Sequence, residues 1–159
     1  MSTTLPIPQR LEHEREHFND VYRQEADRGI TPLCAFDRHR YSSPPATTIY
    51  PREFFFHLLH PLAGKNILEI ACGNGIDACL AAHNGAHVHA YDLSPKSIAM
   101  TRKRLEVNGL AHCAQLEVCG DLDHAFAGQT FDAVTGYAAL HHLPWEDLGQ
   151  KIYNRLKPG

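Results

Sequence analysis

The sequence predicts an α/β domain with a Rossmann-like, mostly parallel sheet and helices on both faces. Three observations carry this. From Lys65 onward, short apolar runs alternate with longer stretches of helical spacing, the pattern of βαβ units. The first run, "NILEIA", passes directly into the glycine-bracketed turn "CGNG" and then into a helix. Later, "SPKSIAMTRKRLEVNG" carries both of its punctuation marks: Ser94 as N-cap with Pro95 behind it, and Gly109 past the end. Right-handed crossovers then make a Rossmann-like sheet the leading candidate.

Each element follows in turn. Residues 1–8 read as a loose tail. Arg10 to Asp27 is highly charged, and Leu11, Phe18, Val21 and Tyr22 fall on one face of an amphipathic helix that Gly29 stops. Residues 30–51 are rich in Pro, Ser and Thr without period and read as an irregular connection. "REFFFHLLHPL" is a short helix broken by Pro61. Residues 1–64 thus form an N-terminal helical extension or lid, and residues 65–159 the core, together one domain. In the core, "GIDACLAAHNG" is a helix ending at Gly85, "AHVHAYD" the second strand, "AQLEVC" the third and "FDAVTGY" the fourth. "PWEDLGQKIYNRL" is the last helix.

Composition narrows the function. The chain has 159 residues, enough for one domain with a core, and a net charge of −3, which gives no electrostatic footprint for nucleic acid or an anionic membrane. No apolar run is long enough to span a bilayer, and "MSTTLPIPQRLEHERE" has no signal-peptide core. Five cysteines without CxxC spacing argue against a disulfide framework or a zinc site and for a reduced, cytoplasmic chain. His87 and His89 share one face of the second strand, where metal binding is the competing reading, but they are read as solvent-facing strand residues, and no metal is expected.

The turn at Gly73 and Gly75 is the functional signal. Glycine there tolerates positive φ and lets a ligand approach the backbone, and the following helix offers free N–H groups to a carboxylate or pyrophosphate. Asp92 ends the second strand, where a carboxylate can accept from ribose hydroxyls. "GNGIDA" fits G-x-G-x-x-A, so an NAD- or FAD-dependent oxidoreductase is one reading. Glu69 favours another. A carboxylate inside an apolar strand is costly without partners, and beside the turn it suits loop amides or, through water, a ligand ammonium, whereas a pyrophosphate gains nothing from it.

The stretch of Glu69 to Gly75, Asp92, "GDL", "FDAVTGYAALHHLP" and "LKPG", in that order over Lys65 to Gly159, resembles the class I S-adenosylmethionine-dependent methyltransferases, in particular the small-molecule group with an "LHHL" segment. The resemblance implies S-adenosyl-L-methionine as cofactor and S-adenosyl-L-homocysteine as product. It places Glu69, Ala71, Gly73 and Gly75 at the methionine part of the cofactor, Asp92 at the ribose and Leu93 against adenine. Asp121 is implied as acceptor for the adenine amino group with Leu122 beside it, and Gly136 and Tyr137 flank the methionine end. Asp121 as a plain turn cap is the competing reading.

Methyl transfer to an O, N, S or C nucleophile of a small molecule is the expected reaction. His141 and His142, at the end of the fourth strand, are where a base for the acceptor proton would sit; positioning of the loop there is the competing reading. "FDRHRY" and the N-terminal helix are candidates for a lid, with Tyr22 and Tyr41 facing the cofactor or substrate. The basic stretch Lys96 to Arg104 is read as a solvated helix face, and "GYAAL" lacks the acid or Asn with two prolines of DNA and protein amino-methyltransferases. The family's sheet continues past the last residues here, so the resemblance implies a sheet of four strands in the order 3-2-1-4. The chain is therefore expected to be a truncated product, or to have its fourth-strand edge covered by the N-terminal segment or by a second copy in a homodimer. A non-catalytic binding module or inactive fragment is the third reading.

Overall fold

A computed structural model of the chain describes residues 7–139, 143 and 146–158. Its elements in order are α1 (Ile7–Asp27), α2 (Ala35–Arg40), α3 (Pro51–Leu59), β1 (Asn66–Ile70), α4 (Ile76–His83), β2 (His87–Asp92) and α5 (Pro95–Val107). A 3₁₀ turn (Ala111–Cys113), β3 (Ala114–Val118), β4 (Ala133–Thr135) and α6 (Leu148–Arg155) follow. The sheet is parallel with the order β3-β2-β1-β4, as the resemblance implies. Ile67 sits in register between Val88 and Ala133.

β1 is nearly all buried because both faces of the sheet are covered, and its alternate residues serve two cores. Ile67 joins Val88, Ala90 and Leu105 under α4 and α5. Leu68 and Ile70 join Tyr91, Phe126, Phe131 and Leu148 of α6 on the other face. α5 starts as predicted: Ser94 Oγ accepts from Ser97 N at 3.1 Å, and Pro95 fills the first helical position.

Four expectations need correction. First, residues 30–51 are not wholly irregular, because α2 forms within them, capped by the Cys34 thiol accepting from Asp37 N at 3.4 Å. Second, His89 is not solvent-facing. It is buried with its ring edge-on to Phe126 and Phe131, each 5.1 Å away, and burial pushes its imidazole below the usual range; only His87 is exposed. Period-two alternation misleads here because the loop carrying Phe126 folds over the face of β2 that His89 shares. Third, Tyr41 packs in the core against Phe56, away from the cleft described below. Fourth, β4 is shorter than "FDAVTGY": pairing with β1 begins at Ala133 and ends at Thr135.

Beyond α6 the chain returns to the sheet. Phe131 N donates to Arg155 O at 2.8 Å and Lys157 N donates to Phe131 O at 2.9 Å, so the segment at Leu156 begins to run parallel along the outer side of β4. No helix among the described residues is long and apolar enough to cross a membrane.

Candidate functional site

The site begins where β1 ends. Ala71 (φ 52°), Gly73 (φ 56°) and Gly75 (φ 74°) all take left-handed backbone, which folds the chain sharply from strand into α4 with Gly75 as N-cap. Cys72 N donates to Tyr91 O at 3.1 Å and Gly75 N to Cys72 O at 2.9 Å, which pins the turn to β2. A methyl on Gly75 would lie 2.7 Å from the Thr101 Cα and 2.6 Å from its hydroxyl. Backbone cannot yield as a side chain does. Gly75→Ala is therefore expected to cost about 2–3 kcal/mol, read as a lower urea midpoint; an unchanged midpoint refutes the close packing. A methyl on Gly73 would meet only the Tyr22 hydroxyl, a movable side-chain end.

Asp92 is the second anchor. It is buried at the end of β2, where its carboxylate accepts from Gly73 N at 2.9 Å and Ser94 N at 2.8 Å. Burial raises its carboxyl above the usual range, and these hydrogen bonds offset part of the rise.

α1 roofs the turn. Asn19 Oδ1 accepts from Ser94 Oγ at 2.7 Å, and Glu25 accepts from Asn74 Nδ2 at 3.0 Å. Arg104, within the stretch read as a solvated face, is buried instead; it donates to Asn74 O at 2.8 Å and lies 3.6 Å from Glu25. Tyr22, stacked on Phe18, hangs over Gly73, and burial, then the charge of Asp92, pushes its phenol up.

α3 supplies the opposite wall. Arg52 Nε lies 3.1 Å from Asp77 Oδ1, yet both atoms are buried without a hydrogen bond of good geometry. The guanidinium sits 4.8 Å above the Tyr137 ring, which also touches Phe55. Glu69 is only 6% exposed and has no hydrogen-bond partner among the described residues. Burial, then the charges of Asp77 and Asp92, holds its carboxyl well above the usual range, against the pull of Arg52.

One cleft thus gathers Glu69, Ala71, Gly73, Asp92, Leu93 and Tyr137 of the residues picked from sequence. Gly75 and Gly136 do not line it, although their neighbours Asn74 and Tyr137 do. Asp121 does not line it, although its neighbour Gly120 does. The Asp121 carboxylate accepts from His124 N at 2.9 Å and from the His124 ring at 2.8 Å. Partial desolvation pushes this carboxyl up, but the bonds from His124 outweigh it and leave it below the usual range. Leu122 is buried in the core on the α6 face. His141 and His142 lie outside the described residues. Sequence reasoning missed Arg52 and Asp77, because α3 also carries Glu53 and His57 and a charged residue there marks nothing. No group of three or more His, Cys, Asp or Glu among the described residues could hold a metal ion.

The comparisons with known proteins agree with this geometry. A family model described as a methyltransferase domain matches residues 67–159, and the chain belongs to that family. Its fold is that of the class I S-adenosylmethionine-dependent methyltransferases. The ubiquinone biosynthesis O-methyltransferase of Thiobacillus denitrificans is 39% identical over 84 residues, covering 53% of this chain and 36% of that protein. The chain therefore spans about a third of the length of this curated relative. A solved structure from work on the conversion of a disulfide bond into a thioacetal group during echinomycin biosynthesis is 27% identical, with a TM-score of 0.62, covering 92% of this chain and 57% of that one. Magnesium protoporphyrin IX methyltransferase of Synechocystis PCC 6803, solved with S-adenosylmethionine bound, has a TM-score of 0.59 at 18% identity, covering 99% and 75%, a likeness of fold.

Proposed function

We propose that the chain binds S-adenosyl-L-methionine over the glycine turn and directs methyl transfer to a small-molecule acceptor, leaving S-adenosyl-L-homocysteine. The observation that carries this is one cleft in which the partly buried ion pair of Arg52 and Asp77 stands beside Asp92 and the glycine turn. An amino-acid carboxylate and ammonium suit this pair, a ribose diol suits Asp92, and Leu93 beside Gly120 offers adenine an apolar wall. A bare pyrophosphate would meet the carboxylates of Glu69, Asp77 and Asp92.

The bound cofactor brings its methyl already activated on a sulfonium. The protein's part is alignment and exclusion of water. The turn and Asp92 fix one end. Phe18 and Tyr22 of α1 line the cleft, which supports reading that helix as a lid, and Tyr137 lines it from the side of β4. A carboxylate offers about four lone-pair sites, so Asp121 can serve the adenine amino group only while sharing its oxygens with His124. Gly136 brings backbone groups to the methionine end, and His141 and His142 are the proposed base for the acceptor proton. A small acceptor is supported by the stretch Lys96 to Arg104, whose cations do not all face solvent: Arg104 is turned inward and Lys103 lies 3.7 Å from Glu106. Five free cysteines accord with a cytoplasmic setting. A second copy pairing along β4 would have to accommodate the segment at Leu156.

Calorimetric titration tests the reading. S-adenosyl-L-homocysteine is expected to bind with micromolar affinity and NAD not at all. NAD binding in its place would overturn it.

A further inference from the structure

The turn concentrates more negative charge than its own cations balance. Glu69 comes from β1, Asp77 from the first turn of α4 and Asp92 from the end of β2. Arg52 of α3 is the cation that acts on this group, and it lies against Asp77. Asp92 is met by two backbone N–H groups, whereas Glu69, 6% exposed and part of the cleft wall, meets no donor among the described residues. From β4 the residue in register is Thr135, whose hydroxyl donates to Leu68 O at 3.3 Å. From the turn comes the Cys72 thiol, which burial, then Glu69 and Asp92, keeps protonated. Tyr22 of α1 is likewise a neutral phenol. A buried carboxylate beside two others, without a donor, is the arrangement in which the neutral acid is favoured.

We propose that Glu69 carries a proton while the cleft has no ligand, and releases it to solvent when a ligand with an ammonium group binds beside the turn. This rests on the reading of the cleft as a site for an aminoacyl adenosine and adds a condition to it. The Glu69 O–H bond breaks, the proton passes to water, and the carboxylate left behind pairs with the ammonium. Binding is then coupled to one proton. Affinity rises with pH by up to about tenfold per pH unit, and levels off once the free protein has itself lost the proton. The same coupling sets ligand class, because a nucleoside sulfide without the amine gains nothing from the ionised acid.

Calorimetry below neutral pH, in two buffers of different protonation enthalpy, tests this. With S-adenosyl-L-homocysteine the wild-type heat is expected to differ between the buffers by an amount approaching one released proton per ligand. Glu69→Gln is expected to bind with no such difference, and 5′-methylthioadenosine, which lacks the amine, to show none on the wild type. Equal heats in the two buffers overturn the proposal, as does an equal difference for both ligands or for the variant. Should Glu69→Gln fail to fold, the wild-type affinity for S-adenosyl-L-homocysteine against pH decides, and a flat profile overturns the proposal. Absence of any S-adenosyl-L-homocysteine binding overturns the cofactor reading itself, a distinct result.

Discussion

Asp92→Ala is expected to weaken S-adenosyl-L-homocysteine binding about a hundredfold. The carboxylate does two things at once. It accepts from Gly73 N and Ser94 N, which holds the turn and the start of α5 in place, and it is the acid that faces the ligand's hydroxyls in the proposed complex. Removing it orphans both N–H groups and takes away the acceptor. Hydrogen bonds to a charged group contribute about 1.5–3 kcal/mol each, so losing the ligand contact and the preset turn together accounts for roughly 3 kcal/mol. Asp92→Asn keeps one acceptor oxygen and is expected to lose about tenfold. Titration calorimetry measures both, and wild-type affinity in the alanine variant would remove Asp92 from the site.

Arg155→Ala is expected to produce a large loss of stability, about 3–5 kcal/mol, with little change in ligand affinity. The guanidinium is buried at the end of α6 and donates to four carbonyls: Leu122 at 2.8 Å, Ala125 at 2.7 Å, Phe126 at 2.6 Å and Gln129 at 3.1 Å. It ties the loop between β3 and β4 to the last helix, and it stacks over Phe131. Alanine leaves those carbonyls without a donor in a closed space. Arg155→Lys is expected to recover only part, since an ammonium lacks the planar fork that reaches several carbonyls at once. Urea unfolding gives the number. A variant as stable as the wild type would show that the network contributes nothing.

The core was legible from sequence because its signals are local and redundant. "NILEIA" is too apolar to be exposed, Gly73 and Gly75 mark left-handed backbone that the structure confirms, and Ser94 with Pro95 fixes the start of α5 to the residue. What the sequence hid depends on packing at a distance. α2 escaped because it is one and a half turns long and is capped by a thiol, a weak acceptor outside the usual capping set. His89 escaped because a polar residue in an alternating strand reads as outward until the loop carrying Phe126 is known to fold over it. Arg52 escaped because nothing near it in sequence marks it as a cleft residue; Asp77, its partner, lies on a different helix. The N-terminal helix was seen, but its grip on the turn through Asn19 and Glu25 is a matter of tertiary contact alone.

The position of β1 between β2 and β4 has a consequence for the order of assembly. β1 reaches β2 across a short crossover, but it must find β4 across most of the core, as in the bond from Asn66 N to Asp132, sixty-six positions away. Closing the longer loop costs more chain entropy, so the β1–β2–β3 half is favoured to nucleate first and β4 to dock late. The glycine turn and Asp92 belong to the early half, while Gly136 and Tyr137 arrive with β4. Substitutions in β4 should therefore register mainly in the rate of unfolding, and those around the turn in the rate of folding.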